Sequence, residues 1–152
     1  MKGKKKYKVP LMRVKLSLVR ESVLHYQDRI GMPKDIVEMI RSLFEDLDME
    51  KLVVVGLDSN NKPVIANVVS IGTIDCTFSQ PRDVIKTLLL SNCVSFICAH
   101  NHPSGNLKPS SGDIAIAENL KNAGKLFGIR LLDNIILGHK GEYFSFSTQG
   151  II

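Results

Sequence analysis

The stretch His100-Asn101-His102-Pro103-Ser104-Gly105-Asn106-Leu107-Lys108-Pro109-Ser110-Ser111-Gly112-Asp113 decides how this chain is read. Ahead of it, Val94-Ser95-Phe96-Ile97-Cys98-Ala99 is a short apolar run that reads as a strand. After it, Ile114 to Phe127 reads as a helix. Side chains two apart on a strand point the same way, so His100 and His102 share a side if the strand continues through them. Asp113 stands where the next helix begins. A strand end, a Pro- and Gly-containing loop and a helix start can bring two imidazoles and one carboxylate together with room for a water.

Zinc accepts imidazole nitrogen and carboxylate oxygen at roughly 2.0–2.2 Å, and a catalytic site keeps one position for water. His100, His102 and Asp113 are candidate ligands on that basis. A purely local reading competes. Ser110-Ser111-Gly112-Asp113 fits a capping box with Ser110 at the N-cap and Asp113 at N3, and the histidines are then ordinary loop residues. The combination of two histidines at a strand end, a turn-rich loop and a carboxylate at a helix start is rarer than any of its parts and favours the metal. A metal site that activates water also needs a general base beside it. Glu50, just ahead of the apolar run Leu52 to Leu57, is a candidate, and Glu45, Asp46 and Asp48 compete with it.

Outward from the motif, the chain alternates strand and helix patterns. Pro33 suits a first helical turn, and Ile36, Val37, Ile40, Leu43 and Phe44 follow at helical spacing up to the acidic stretch Glu45-Asp46-Leu47-Asp48. Leu52 to Leu57 is β-branched and reads as a central strand. Asp58-Ser59-Asn60-Asn61 is a turn and Val64 to Ile74 a second strand, which predicts a hairpin. Ser79-Gln80-Pro81 opens a helix whose apolar face is Val84, Ile85, Leu88 and Leu89. With the strand at 94–99 this strand-helix-strand order suggests a crossover unit. In the helix after the motif, Ile116, Leu120, Ala123 and Phe127 form one stripe, and Gly128 ends it. Ile129 to Leu137 reads as a strand interrupted by Asp133-Asn134, and Tyr143 to Phe146 as a last strand after a turn at 138–141. The pattern is α/β.

The 152 residues, 44% of them hydrophobic, favour one domain with a real core. An unbroken apolar run of 18 residues is absent, and no apolar run follows the basic N-terminus as in a signal peptide, so a cytoplasmic location with no membrane partner is expected. Residues 1–20 hold eight Lys/Arg and no acid, whereas the remainder holds twelve Lys/Arg against fifteen Asp/Glu. The basicity belongs to an arm, residues 1–13, ahead of a domain over 14–152. In that domain Val14, Leu16 and Leu18 alternate like an edge strand. The arm is a candidate for weak nucleic-acid contact or a solubilising tail. The odd count of cysteines, Cys76, Cys93 and Cys98, reads as free thiols rather than a disulfide scaffold. Cys98 shares a strand face with the histidines but reads as a core thiol. The His-Glu-x-x-His helix, the phosphate loop and the dinucleotide fingerprint are all absent. So is the Pro-Cys-x-x-Cys of a zinc deaminase.

His100-x-His102-Pro103 with Asp113 and an upstream Glu50 resembles the signature of the JAMM (JAB/MPN) metalloenzymes. More narrowly, Ala99 to Gly105 followed by Pro109-Ser110-x-x-Asp113 resembles the RadC-like JAB domain. Gly72-Thr73-Ile74-Asp75, Pro81-Arg82-Asp83-Val84 and Gly128-Ile129-x-Leu131-Leu132-Asp133 extend the likeness over roughly residues 11–151. The resemblance implies a mixed sheet flanked by helices, related in layout to the cytidine deaminases. It implies zinc on His100, His102 and Asp113, Glu50 as general acid/base on the zinc-bound water, and Ser110 helping to hold the oxyanion. The implied reaction is hydrolysis of a peptide or isopeptide amide in a peptide or protein substrate. The alternative is an accessory module for DNA repair with a structural or vestigial metal site. The family's longer members carry a helix-hairpin-helix region, whereas here a short arm and one helix precede the domain. Asn134 stands where the family usually has histidine.

Overall fold

The computed structural model describes Leu24, Tyr26 and residues 29–44, 48–72 and 80–152. The basic arm, the alternating segment at 14–18, Glu45, Asp46 and Cys76 lie outside the described residues.

Strand β1 (Glu50–Leu57) is built from the β-branched run and pairs antiparallel with β2 (Pro63–Gly72). The expected hairpin is present. Its turn is closed by the Asp58 carboxylate, which accepts from the backbone N–H groups of Asn60 at 2.8 Å and Lys62 at 2.9 Å. Asn61 takes a left-handed conformation there, φ 59°, which its short polar side chain tolerates. Strand β3 (Ser95–Asn101) lies antiparallel on the other side of β1, and β4 (Arg130–Leu137) lies parallel to β3. Strand β5 (Tyr143–Ser145) closes the order β2-β1-β3-β4-β5. The crossover suggested between the second strand and the motif strand is split, because β1 occupies the place between β2 and β3. The adjacent parallel crossover runs through the motif itself, β3 to β4.

Helix α1 (Pro33–Ile40), followed by a 3-10 turn over Arg41–Phe44, covers one face of the sheet. Its start is held by Asp35, whose carboxylate accepts from the N–H groups of Gly31 and Met32. Helices α2 (Pro81–Leu90) and α3 (Ser111–Leu126) cover the other face. Alternation along the strands divides the core accordingly. Val53, Val55, Leu57, Ile97 and Ala99 pack toward α1, whereas Leu52, Val54, Phe96 and Cys98 pack toward α2 and α3. His100, in step with Phe96 and Cys98, belongs to the second face.

The segment 129–137 is a continuous strand with a bulge, not an interrupted one. Phe96 and Ile97 of β3 face Leu131 and Asp133, so Leu132 is an extra residue. Such an insertion reverses the alternation beyond it. The Asp133 carboxylate, buried at the bulge, accepts from the N–H groups of Asn134 and Ser147 and from the Ser145 hydroxyl at 2.6 Å. The bulge puts Asn134 and Ile136 in line with Cys98 and His100.

Close approach of α3 to the sheet depends on Gly124. A Cβ there would stand 2.3 Å from the Ile129 carbonyl oxygen and 2.9 Å from Phe96. In an exposed helix Gly→Ala normally stabilises. Here Gly124→Ala should instead destabilise by about 1–3 kcal/mol, the usual cost of overpacking, read as a lower urea midpoint at unchanged m-value. A neutral or raised midpoint would show that α3 is not held this tightly.

Candidate metal centre

Helix α3 begins with a reciprocal cap. Ser110 is the N-cap: its Oγ accepts from the Asp113 N–H at 3.1 Å. The Asp113 Oδ2 in turn accepts from the Ser110 backbone N–H and from the Ser110 hydroxyl, both at 2.7 Å. The capping box proposed from sequence therefore exists, and it turns the Asp113 carboxylate toward the histidines rather than away from them. A carboxylate at the first turn also lies at the favourable end of the helix dipole.

His100 Nε2 lies 3.2 Å from Asp113 Oδ1 and 3.3 Å from His102 Nε2. His102 Nε2 lies 3.3 Å from Asp113 Oδ2. His100 and Asp113 are buried, and His102 is partly so. His102 Nδ1 is 2.6 Å from the Asn106 carbonyl oxygen. That bond fixes Nδ1 as the N–H donor and leaves Nε2 free as the donor atom for a metal. Pro103 and Gly105 make it possible. The loop folds back within four residues of His102, closed by the Gly105 N–H on the His102 carbonyl, with Gly105 at φ 72° beneath the His139 ring.

One donor atom from each of the three side chains lies within 4.8 Å of the others, so the group could hold a metal ion. The separations fit on the two edges that meet at His100, 3.3 Å to His102 Nε2 and 3.2 Å to Asp113 Oδ1, whereas the 3.3 Å approach of His102 is to the other carboxylate oxygen, Oδ2. With bonds of roughly 2.0–2.1 Å, neighbouring donors on a tetrahedron stand about 3.3 Å apart. Two imidazole nitrogens and a carboxylate oxygen suit a first-row divalent ion. Because Ser110 occupies Oδ2 twice, Oδ1 is the carboxylate oxygen left for the ion.

The three side chains also contact one another. Burial by itself pushes the Asp113 carboxyl up, but the hydrogen bonds from His100, His102 and Ser110 override it and hold the group well below the usual carboxylate range. The bond to Asp113 raises His102 above its ordinary value against the lowering effect of burial. The Asn106 carbonyl and the charges of Asp113 and Glu50 add to the rise.

Glu50 lines a small cleft together with Leu52, His100, Asp113, Ile116 and Asn134. The cleft holds ≈ 20 Å³, space for about one water. The position of Glu50 follows from register. Leu52 of β1 is the partner of His100, and Glu50, two residues on, falls on the same face. Asp48 is exposed and does not line the cleft. Asn134 enters the cleft through the bulge in β4. It is buried, and its carboxamide makes no hydrogen bond to another described residue. Ser110 touches Asp113 but does not line the cleft. Cys98 is fully buried in the core and its thiol is pushed up to about 12 by desolvation, so it stays protonated and outside the donor group. A larger groove of ≈ 430 Å³ between α2 and α3 contains neither histidine nor acid. Sequence reading passed over the Asn106 carbonyl and the Asn101 side chain. The one acts through its backbone, and the contacts of the other cross fifty residues of chain.

A family profile described as "RadC-like JAB domain" matches residues 30–151. Among curated relatives, a "UPF0758 protein" of Methanosarcina mazei is 38% identical over 124 residues, 82% of this chain and 54% of the relative. A "UPF0758 protein" of Histophilus somni (strain 2336) is 37% identical over 129 residues, 85% of this chain and 58% of the relative. One of Rubrobacter xylanophilus is 35% identical over 123 residues, 81% and 53% respectively. The chain spans about half the length of these relatives. Among the described residues no helix is long and apolar enough to cross a membrane. The matched region takes in both histidines, Asp113, Ser110 and Glu50, and on that match the chain belongs to the RadC-like JAB domain family.

Proposed function

We propose that this domain is a zinc-dependent hydrolase of peptide or isopeptide amides. The observation that carries the reading is the cluster of His100, His102 and Asp113, whose donor atoms lie within 4.8 Å of one another, with the Glu50 carboxylate lining the same cleft. When bound, zinc supplies a Lewis acid that polarises the scissile carbonyl and makes a neighbouring water acidic. Glu50 takes the proton of the attacking water and then delivers it to the departing amine nitrogen, as a general base turned general acid. Asn106 holds the His102 ring in the tautomer that presents Nε2. Ser110 fixes the Asp113 carboxylate through its backbone N–H. Its hydroxyl hydrogen also lies on Oδ2 and must turn away from that oxygen to stabilise an oxyanion. The cleft is too small to read a substrate sequence, so selectivity lies in surfaces beyond it.

The deciding experiment is metal analysis of purified protein together with the Glu50→Gln variant, assayed on internally quenched peptides and lysine-linked isopeptides. The expected outcome is about one zinc per chain in both proteins, with hydrolysis lost only in the variant. Hydrolysis that survives Glu50→Gln would remove Glu50 from the mechanism, and protein that binds no zinc would sink the reading as a whole.

Two further outcomes are expected. Ser110→Ala removes a helix cap, so stability should fall by about 1 kcal/mol, and losing an oxyanion donor should lower kcat by about 10²–10³. A stability loss with kcat unchanged would leave Ser110 a cap only. Metal affinity should fall on acidification, because a protonated His102 has no lone pair to give. Since Asp113 raises His102, protons begin to compete at a pH above the ordinary histidine value of about 6.5. Titration calorimetry between pH 8 and pH 5 would reveal this. Affinity constant across that range would show that His102 is not a ligand.

A further inference from the structure

Asn101, lying between the two histidines, makes contacts that its neighbours do not. Strand β3 keeps its pairing with β4 as far as Asn101, opposite Leu137. Its pairing with β1 stops one residue earlier, at His100 opposite Leu52. Where the next backbone pair would come, the Asn101 side chain takes over. Its Oδ1 accepts from the Lys51 N–H at 2.8 Å, and its Nδ2 donates to the Met49 carbonyl at 3.0 Å. Both hydrogen-bonding ends of the carboxamide are satisfied, and the residue is fully buried at 0% exposure. A carboxamide carries the same donor and acceptor as a peptide group. It therefore extends the sheet by one rung while the β3 backbone turns away into the Pro103 loop.

The two bonds fall on the residues immediately before and after Glu50. From these contacts we infer that Asn101 is the positioning residue for Glu50: it ties the Glu50 backbone to the strand that carries His100 and leads into His102. Its own amide does no chemistry. Among the described residues, the other side of Glu50 is held by β2, the outermost strand of the sheet, through the pair Glu50 and Gly72. Without Asn101, the first residues of β1 have no hydrogen bond to β3 ahead of the pair at Leu52. The Glu50 carboxylate would then be free to drift from the donor triangle although the triangle stays intact. The consequence for catalysis rests on the proposed role of Glu50, whereas the coupling itself does not.

The test uses the full chain as Asn101→Ala and Asn101→Asp, the second keeping size and the acceptor for Lys51 while facing the Met49 carbonyl with an oxygen. Three measurements are made: zinc content, amide exchange at Lys51, and Mn²⁺ relaxation of a ¹³C-labelled Glu50 carboxyl carbon. In Asn101→Ala, zinc should stay at about one per chain, Lys51 exchange should rise by about tenfold or more as its partner is lost, and the relaxation of Glu50 should weaken. Asn101→Asp should fall between Asn101→Ala and the parent protein, and it remains informative if the alanine variant does not fold. Turnover should drop by about 10- to 100-fold, as for a misplaced catalytic group, while zinc content is unchanged. Unchanged Lys51 exchange and unchanged Glu50 relaxation would overturn the inference. So would a loss of zinc in step with the loss of turnover, which marks a general structural defect. If the parent protein hydrolyses nothing, the catalytic reading fails, and the exchange and relaxation measurements still decide whether Asn101 holds Glu50.

Discussion

The Asp113 carboxylate is the constraint on which the rest of the site depends. One oxygen closes the first turn of α3 by accepting twice from Ser110, and the other faces His100. Helix capping and metal binding are usually rival explanations for an acid at such a position. Here the two are compatible, because a carboxylate has two oxygens and enough lone pairs for both tasks. The cap fixes the orientation of the group beside the histidines. The hydrogen bonds from the two imidazoles and Ser110 stabilise the carboxylate, which explains how a charged group can be buried at a helix start.

The second layer of constraint is the parity of the sheet. A central strand buried on both faces alternates between two cores, and one step of register exchanges them. The antiparallel register that pairs Leu52 with His100 puts Glu50 on the histidine face. The bulge at Leu132 reverses β4, so that Asn134 and not its neighbour enters the cleft. Buried Asp133 holds that bulge through three hydrogen bonds. The pieces of the site therefore come from three neighbouring strands and one helix start. Each is positioned by a local device: a cap, a bulge, a carbonyl behind a histidine ring, and a carboxamide that replaces a missing rung.

Most elements were legible along the chain. The hairpin of β1 and β2, the Pro-initiated helices α1 and α2, the motif strand and the following helix follow from periodicity and turn chemistry. The exceptions have a common cause. Residues 129–137 looked interrupted because a bulge breaks a two-residue pattern without breaking the strand. The crossover before the motif is present, but nothing local says that β1 will lie between β2 and β3. Glu50 stood among acidic neighbours that sequence spacing alone could not separate, since the feature that distinguishes it is its alignment with a strand half the chain away.

By itself the sequence determined the donor types, their order, and the capping box, because those are properties of residues within about a dozen positions of one another. Strand alternation does not account for the meeting of the two histidines, because β3 ends at Asn101 and His102 lies on the loop beyond it. Only the tertiary structure showed that Glu50, which the family resemblance had singled out, lines the cleft, that Asn134 lines it too, and that Asn101 bridges to the strand carrying Glu50. Those relations run across the sheet through hydrogen bonds perpendicular to the chain. Their register is set by the packing of two apolar faces, which no short window of sequence contains.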